Sequence, residues 1–170
     1  VRRLGEAAVA GDKYFRVGGG VRQVNDVARY ILERQSGSVS TMKLQKLVYY
    51  AQAWSLVWDE KPLFHACIEA WANGPIVRGL YDQHRGKFTA ELAMFPGDSS
   101  NLTDAEKETI DVVLEAYGHL SGQQLSDLAH SERPWREARE GIADGEPSTS
   151  TINEEVMQDF YSAVQSASTA

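Results

Sequence analysis

Nucleophilic chemistry needs a base within reach of a serine, threonine or cysteine, and the bases available here are His65, His84, His119 and His130, with Cys67 as the one thiol. Cys67 follows His65 by two positions, which on a strand places both side chains on the same face. A thiol–imidazole pair of that kind could support hydrolysis. Without a third group to orient the base, the plainer reading is a small buried cysteine beside an edge histidine. No GxSxG elbow surrounds any serine. Asp127 and His130 stand three apart on an expected helix, and a local hydrogen bond or a contact with the helix C-terminus accounts for them more simply than catalysis or metal binding. HExxH and CxxC are both absent, so neither a metal site nor any other cofactor is expected. The glycines at 18–20 precede no Lys-Ser/Thr pair and form no phosphate loop.

Binding chemistry is the remaining prospect. Lys43 and Lys46, with Arg29 and Arg34 upstream, make the one basic concentration, either a solvated face or a binding patch. Residues 1–50 carry nine basic and four acidic side chains and residues 51–170 carry eight and twenty, within a total charge of −7. An acidic bulk repels nucleic acid and suits basic protein partners. A DNA-reading helix at 122–130 would present Gln123 and Gln124 but also Asp127, so operator binding is a weak alternative.

The elements that must hold these residues are legible from period and punctuation. The chain of 170 residues and 18.8 kDa is 42% hydrophobic, enough for a folded core, and contains no apolar run of the length a bilayer span needs. A single cysteine suggests a reducing compartment, and the N-terminal residues make a poor secretory signal; a cytoplasmic location is expected. Residues 1–20 read as a flexible leader ahead of one helical domain over 21–165. Val24, Val27, Ala28, Ile31 and Leu32 form one face of a helix over 22–35. A helix over 41–58 is apolar around most of its circumference and belongs at the centre. Residues 64–72 and 88–94 read as a small two-stranded β element, the second with Phe88, Ala90, Leu92 and Met94 on its buried side. Pro75 is expected to open a short helix carrying Ile76, Val77, Leu80, Tyr81 and His84. Capping boxes at Thr103/Glu106, Ser121/Gln124 and Thr151/Glu154 place three more helices at 104–117, 122–130 and 152–164. The fold class is therefore mainly α.

The stretch TMKLQKLVYYAQAW (41–54), the turn EAWANGP (69–75) and the segment LSDLAHSERPW (125–135), with Leu125, His130, Pro134 and Trp135 in the closing pattern, together resemble the Panacea domain family of bacterial and phage-associated proteins over roughly residues 22–140. The resemblance implies a non-enzymatic antitoxin of a type II toxin–antitoxin pair. Its partner would be a cognate protein toxin, and an adaptor action handing that toxin to the ClpX/ClpXP protease is a further implication. The family supplies no catalytic residues to carry over. Candidate partner-binding residues are Trp71, Asn73, Gly74, Pro75 and Tyr81 around the turn, Lys43 and Lys46 on the central helix, and His130 with Trp135. Fixed turns commonly present functional groups, and binding energy concentrates in aromatic and basic anchors. For Trp54 and Trp58, on the central helix, core packing is the first reading. A Cys67/His65 hydrolase remains the enzymatic alternative.

Overall fold

The structure is a computed structural model that describes residues 20–169. The expected leader therefore lies, except for Gly20, outside the described residues. Helix α1 spans Gly20–Arg34, with Val24, Val27, Ala28, Ile31 and Leu32 all fully buried. Gly37, at φ +92°, donates its N–H to Leu32 O at 2.7 Å and turns the chain into strand β1, Ser38–Ser40. Ser40 then caps helix α2, Thr41–Trp58, by accepting from the Lys43 amide.

Helix α2 is the axis of the molecule. Every residue from Leu44 to Leu56 is buried, and α1, α4, α5, α7 and strand β3 all pack on it. A helix surrounded on all sides must satisfy any polar side chain it carries. Gln52 and Ser55 of α2 do so by gripping backbone. Gln52 accepts from Leu63 N (2.8 Å) and Phe64 N (3.2 Å) and donates to Phe64 O (2.9 Å). Ser55 donates to Lys61 O at 2.8 Å. The loop after α2 is thereby pinned to the helix it leaves.

The expected strand regions exist but do not pair with each other. Strand β2, Ile68–Trp71, is antiparallel to β3, Gly74–Val77, whereas β4, Thr89–Glu91, is antiparallel to β1. Two two-stranded sheets therefore replace the single two-stranded element. The cause is the turn at 72–73. Gly74 adopts φ +115°, a left-handed conformation open to glycine, and folds β3 directly back on β2. Pro75 thus lies in a strand instead of opening a helix, and helix α3 starts later, at Arg78–His84. Phe88, just ahead of β4, is 83% exposed instead of buried, and Leu92–Met94 form a 3₁₀ turn; only Ala90 of that alternating set is fully buried.

Helix α4 (Asp104–Tyr117) and helix α5 (Gly122–Ser131) begin with the expected capping boxes at Thr103 and Ser121. A short helix α6, Arg133–Ala138, carries Pro134 in its first turn. Helix α7, Glu154–Ser168, is capped by Asn153 and not by Thr151. Thr151 is drawn instead into a bridge with Glu69, and the flanking bonds Ala70 N to Ser150 O and Ile152 N to Ile68 O, both 2.8 Å, lay this segment along the free edge of β2. Between α2, α6 and α7, the hydroxyls of Tyr50 (2.6 Å) and Tyr161 (2.9 Å) donate to one oxygen of Glu132, and Tyr49 meets Tyr161 at 3.0 Å. Burial raises the Glu132 carboxyl above its ordinary range.

Candidate partner-binding site

Four backbone carbonyl oxygens of the hairpin β2–β3 accept hydrogen bonds from side chains that distant parts of the chain supply. Lys46 of α2 donates to Pro75 O at 3.2 Å. Ser126 of α5 donates to Asn73 O at 2.6 Å. Trp135 of α6 donates its indole N–H to Trp71 O at 2.9 Å. Arg139, just past α6, donates to Ala70 O at 3.0 Å and to Ala143 O and Glu146 O at 3.1 and 2.7 Å. The three sequence segments that stood out separately therefore meet at one turn: KLQKL through Lys46, EAWANGP as the hairpin itself, and LSDLAHSERPW through Ser126 and Trp135.

Helix α2 holds β3 with a second grip. Gln45 accepts from Val77 N at 2.9 Å and donates to Val77 O at 3.2 Å, extending the ladder by one side-chain amide. Its Nε2 also lies 3.0 Å from His84 Nε2. Burial lowers the His84 pKa, and a neutral imidazole can accept the amide proton.

Lys46 is 1% exposed. Its alkyl chain lies so close beneath the turn that a Cβ on Gly74 would stand 2.5 Å from Lys46 Cε. The backbone sign favours glycine there, and a Cβ would in addition force the far end of the Lys46 side chain to shift. Removal from water pushes the Lys46 ammonium down to about 7.

Two depressions flank the turn. The larger, about 650 Å³, runs between the start of α2 (Thr41, Met42), Lys46, Trp71, Tyr81 and the segment 147–149. Its aromatic wall is rigid. Trp71 and Tyr81 meet edge to face at 4.6 Å, the Trp71 indole donates to Glu69 at 2.6 Å, and Arg78 both forks onto Glu69 (3.0 and 2.9 Å) and lies 5.4 Å over the Trp71 ring. The smaller, about 490 Å³, is bounded by Ala72, His130, Trp135, Arg136, Arg139 and Asp144, among others. His130 stacks on Trp135 at 4.1 Å, and its Nε2 is buried without a hydrogen-bond partner among the described residues. Burial first, and then the Lys46 charge, lower its pKa.

The structure thus brings Lys46, Trp71, Asn73, Gly74, Pro75, Tyr81, His130 and Trp135 to one hairpin. Of these, Trp71 and Tyr81 are half-buried and Asn73 is exposed, whereas Gly74, Pro75 and Trp135 are buried. Lys43 is not among them. Its Nζ donates to Gly118 O at 2.6 Å, where it closes the C-terminus of α4, a favourable place for a cation. Trp54 and Trp58 stack on each other at 4.9 Å and donate to Tyr117 and Gln165, as core residues. Gln45, Arg78, Ser126 and Arg139 belong to the site but are not among the residues the sequence singles out, although Gln45 and Ser126 lie inside the KLQKL and LSDLAHSERPW segments. The available signal was Gln45 and Lys46 interrupting an apolar stripe.

The candidate catalytic pairs are not assembled. His65 and Cys67 lie exposed in the loop ahead of β2 and share no hydrogen bond, and Asp127 accepts from Gln123 at 2.9 Å while His130 faces Trp135. Among the described residues no group of three or more His, Cys, Asp or Glu side chains could hold a metal ion, and no helix is long and apolar enough to cross a membrane.

The sequence profile described as "Antitoxin SocA-like, Panacea domain" matches residues 44–136, a stretch that contains α2 from Leu44 onward, the hairpin, Ser126 and Trp135. Antitoxin SocA of Caulobacter vibrioides (strain NA1000 / CB15N) is 30% identical over 124 residues, covering 64% of this chain and 66% of that protein. The chain therefore spans just under two thirds of that relative's length. No solved structure matches. More than half of the chain falls within the profile, and the matched stretch includes the hairpin together with Lys46, Ser126 and Trp135 that hold it: the chain belongs to the SocA-like antitoxin family of Panacea domains.

Proposed function

We propose that this protein is the antitoxin of a type II toxin–antitoxin pair, binding a cognate protein toxin through the face around the β2–β3 turn and neutralising it without catalysis of its own. The observation that carries this reading is the convergence of the family's three segments on one hairpin. Four carbonyls of that hairpin are held by side chains from α2, α5 and the α6 region, an investment in rigidity at a place with no assembled catalytic set. A pre-ordered turn flanked by two depressions and walled by Trp71 and Tyr81 suits protein recognition, because rigid aromatic anchors lose little entropy on binding. A stable complex would cover about 800 Å² on each partner.

Delivery of the bound toxin to the ClpXP protease is the second step we propose, with the cytoplasm as its setting; the family resemblance supports it. Co-expression with the product of the adjacent gene tests the first step. The expected result is rescue of growth together with a co-purifying complex, and failure of both refutes it. For the second, toxin levels should fall only when antitoxin and active protease are both present. A toxin equally unstable without this protein removes the adaptor role.

A further inference from the structure

Ala70 and Pro75 face each other across the hairpin as register partners. Each of their carbonyls is bonded by a buried cation, Arg139 on one side at 3.0 Å and Lys46 on the other at 3.2 Å. The two side chains are 4% and 1% exposed, and among the described residues neither forms a salt bridge. Charges so deeply placed are ordinarily paired with a carboxylate. Arg139 spreads its charge over three carbonyls. Lys46 has one, so two of its three N–H donors have no acceptor among the described residues. Lys46 also forms part of the floor of the 650 Å³ groove, whose lining contains no Asp or Glu among the described residues. On a protein with net charge −7, this groove is a local reversal of sign. Arg78 at its rim is already paired with Glu69, which leaves Lys46 as the lining cation without a carboxylate, and an anion arriving beside it would restore the charge that burial disfavours.

Taking this face as the protein-binding one, as proposed above, we infer that the groove docks an acidic–apolar segment of the partner protein: a carboxylate seats over Lys46 while a neighbouring apolar side chain packs against Trp71, Tyr81 and Met42. The charge pattern argues for that occupant. An acidic segment is repelled by the acidic bulk of the protein and attracted at this depression, so the same field that discourages non-specific contact directs the segment into register. The partner's carboxylate supplies the acceptor that Lys46 lacks, and the edge-to-face Trp71–Tyr81 pair offers a preformed apolar wall beside it.

Panning a random dodecamer phage-display library against the full chain tests this. The recovered peptides should carry Asp or Glu next to a large apolar residue. A synthetic copy of the leading peptide should bind Lys46→Met and Trp71→Ala each about tenfold more weakly than the wild type. Exchanging the peptide's acid for its amide should cost the same on the wild type and nothing further on Lys46→Met, a coupling that general unfolding would not produce. Thr149→Glu, at the exposed rim of the groove, alters no core residue and should also weaken binding by adding a like charge. Absence of enrichment, a consensus without an acid, equal binding by Lys46→Met and wild type, or a consensus matching this chain's own sequence with self-association would each overturn the proposal. Lys46→Met and Thr149→Glu variants that neutralise and co-purify with the adjacent gene's product as the wild type does would leave the antitoxin reading standing and remove this one. Acid-dependent peptide binding by a protein that rescues no growth would do the reverse.

Discussion

Replacing Lys46 by methionine should stabilise the protein at neutral and acidic pH, and the size of the effect follows from its position. The ammonium is driven from its ordinary 10.5 to about 7 by burial alone, so keeping it charged in the folded state costs up to about 5 kcal/mol at 1.36 kcal/mol per pH unit. Methionine retains the alkyl volume that packs beneath Gly74 and discards the charge, at the expense of one donor to Pro75 O, worth about 1 kcal/mol. A net gain of about 2–4 kcal/mol at pH 6 is expected, in the range found when buried ions are replaced by apolar side chains of similar volume. The sign of the pH dependence is equally specific. Between about 7 and 10.5 the unfolded chain holds a proton on Lys46 that the folded chain has released, so wild-type stability should rise through this window by about 1.4 kcal/mol per pH unit from this group. The histidines that face Lys46, His84 on α3 and His130 on α5, are shifted downward and titrate below it. Urea unfolding of wild type and Lys46→Met at pH 6, 7.5 and 9, followed by circular dichroism, reads both quantities. The variant's advantage should shrink as pH rises. Parallel pH profiles, or a variant less stable at every pH, would refute the assignment of Lys46 as a buried, uncompensated charge.

Gly74→Ala should destabilise by about 2–3 kcal/mol, combining a strained positive φ with a Cβ only 2.5 Å from Lys46 Cε; a thermal melt unchanged within error would contradict it. Glu132→Ala strips two tyrosine hydroxyls of their shared acceptor and should cost about 2–4 kcal/mol, whereas Glu132→Gln keeps an acceptor. Because burial raises the Glu132 pKa, the carboxyl destabilises the fold as pH climbs through that value, so Glu132→Gln should equal or exceed the wild type at pH 8; a loss as large as that of alanine would show that the charged form is preferred. Trp71→Ala removes the groove wall without touching α2, and should weaken capture of the adjacent gene's product at least tenfold while leaving the fold's circular dichroism intact; undiminished capture would place the interface elsewhere.

Much of the site was legible as parts and illegible as a whole. Trp71, Gly74, Pro75, Tyr81, His130 and Trp135 stand out by residue type within recognisable segments, but nothing within those segments says that Ser126 and Trp135 reach carbonyls more than fifty positions away. Lys43 and Lys46 look alike on the page, three residues apart on one helix. One closes the end of α4 and the other lies beneath the turn, because the helix rotates by about 300° between them and different neighbours pack on the two faces.

What the chain's local order determines is therefore whatever depends on a few consecutive residues: the apolar face of α1, the all-round apolarity that puts α2 at the centre, and the capping boxes at Thr103 and Ser121, where side chains three apart satisfy each other. Tertiary structure decided the rest. Thr151 lost its capping role to a bridge with Glu69, Pro75 became a strand residue because Gly74 and Gln45 hold β3 against β2 and α2, and Lys46 became a buried cation because the hairpin closes over it. Each of these outcomes depends on backbone groups whose partners come from distant parts of the chain, and such pairings are settled by the free energy of the assembled core and not by the preferences of any one segment.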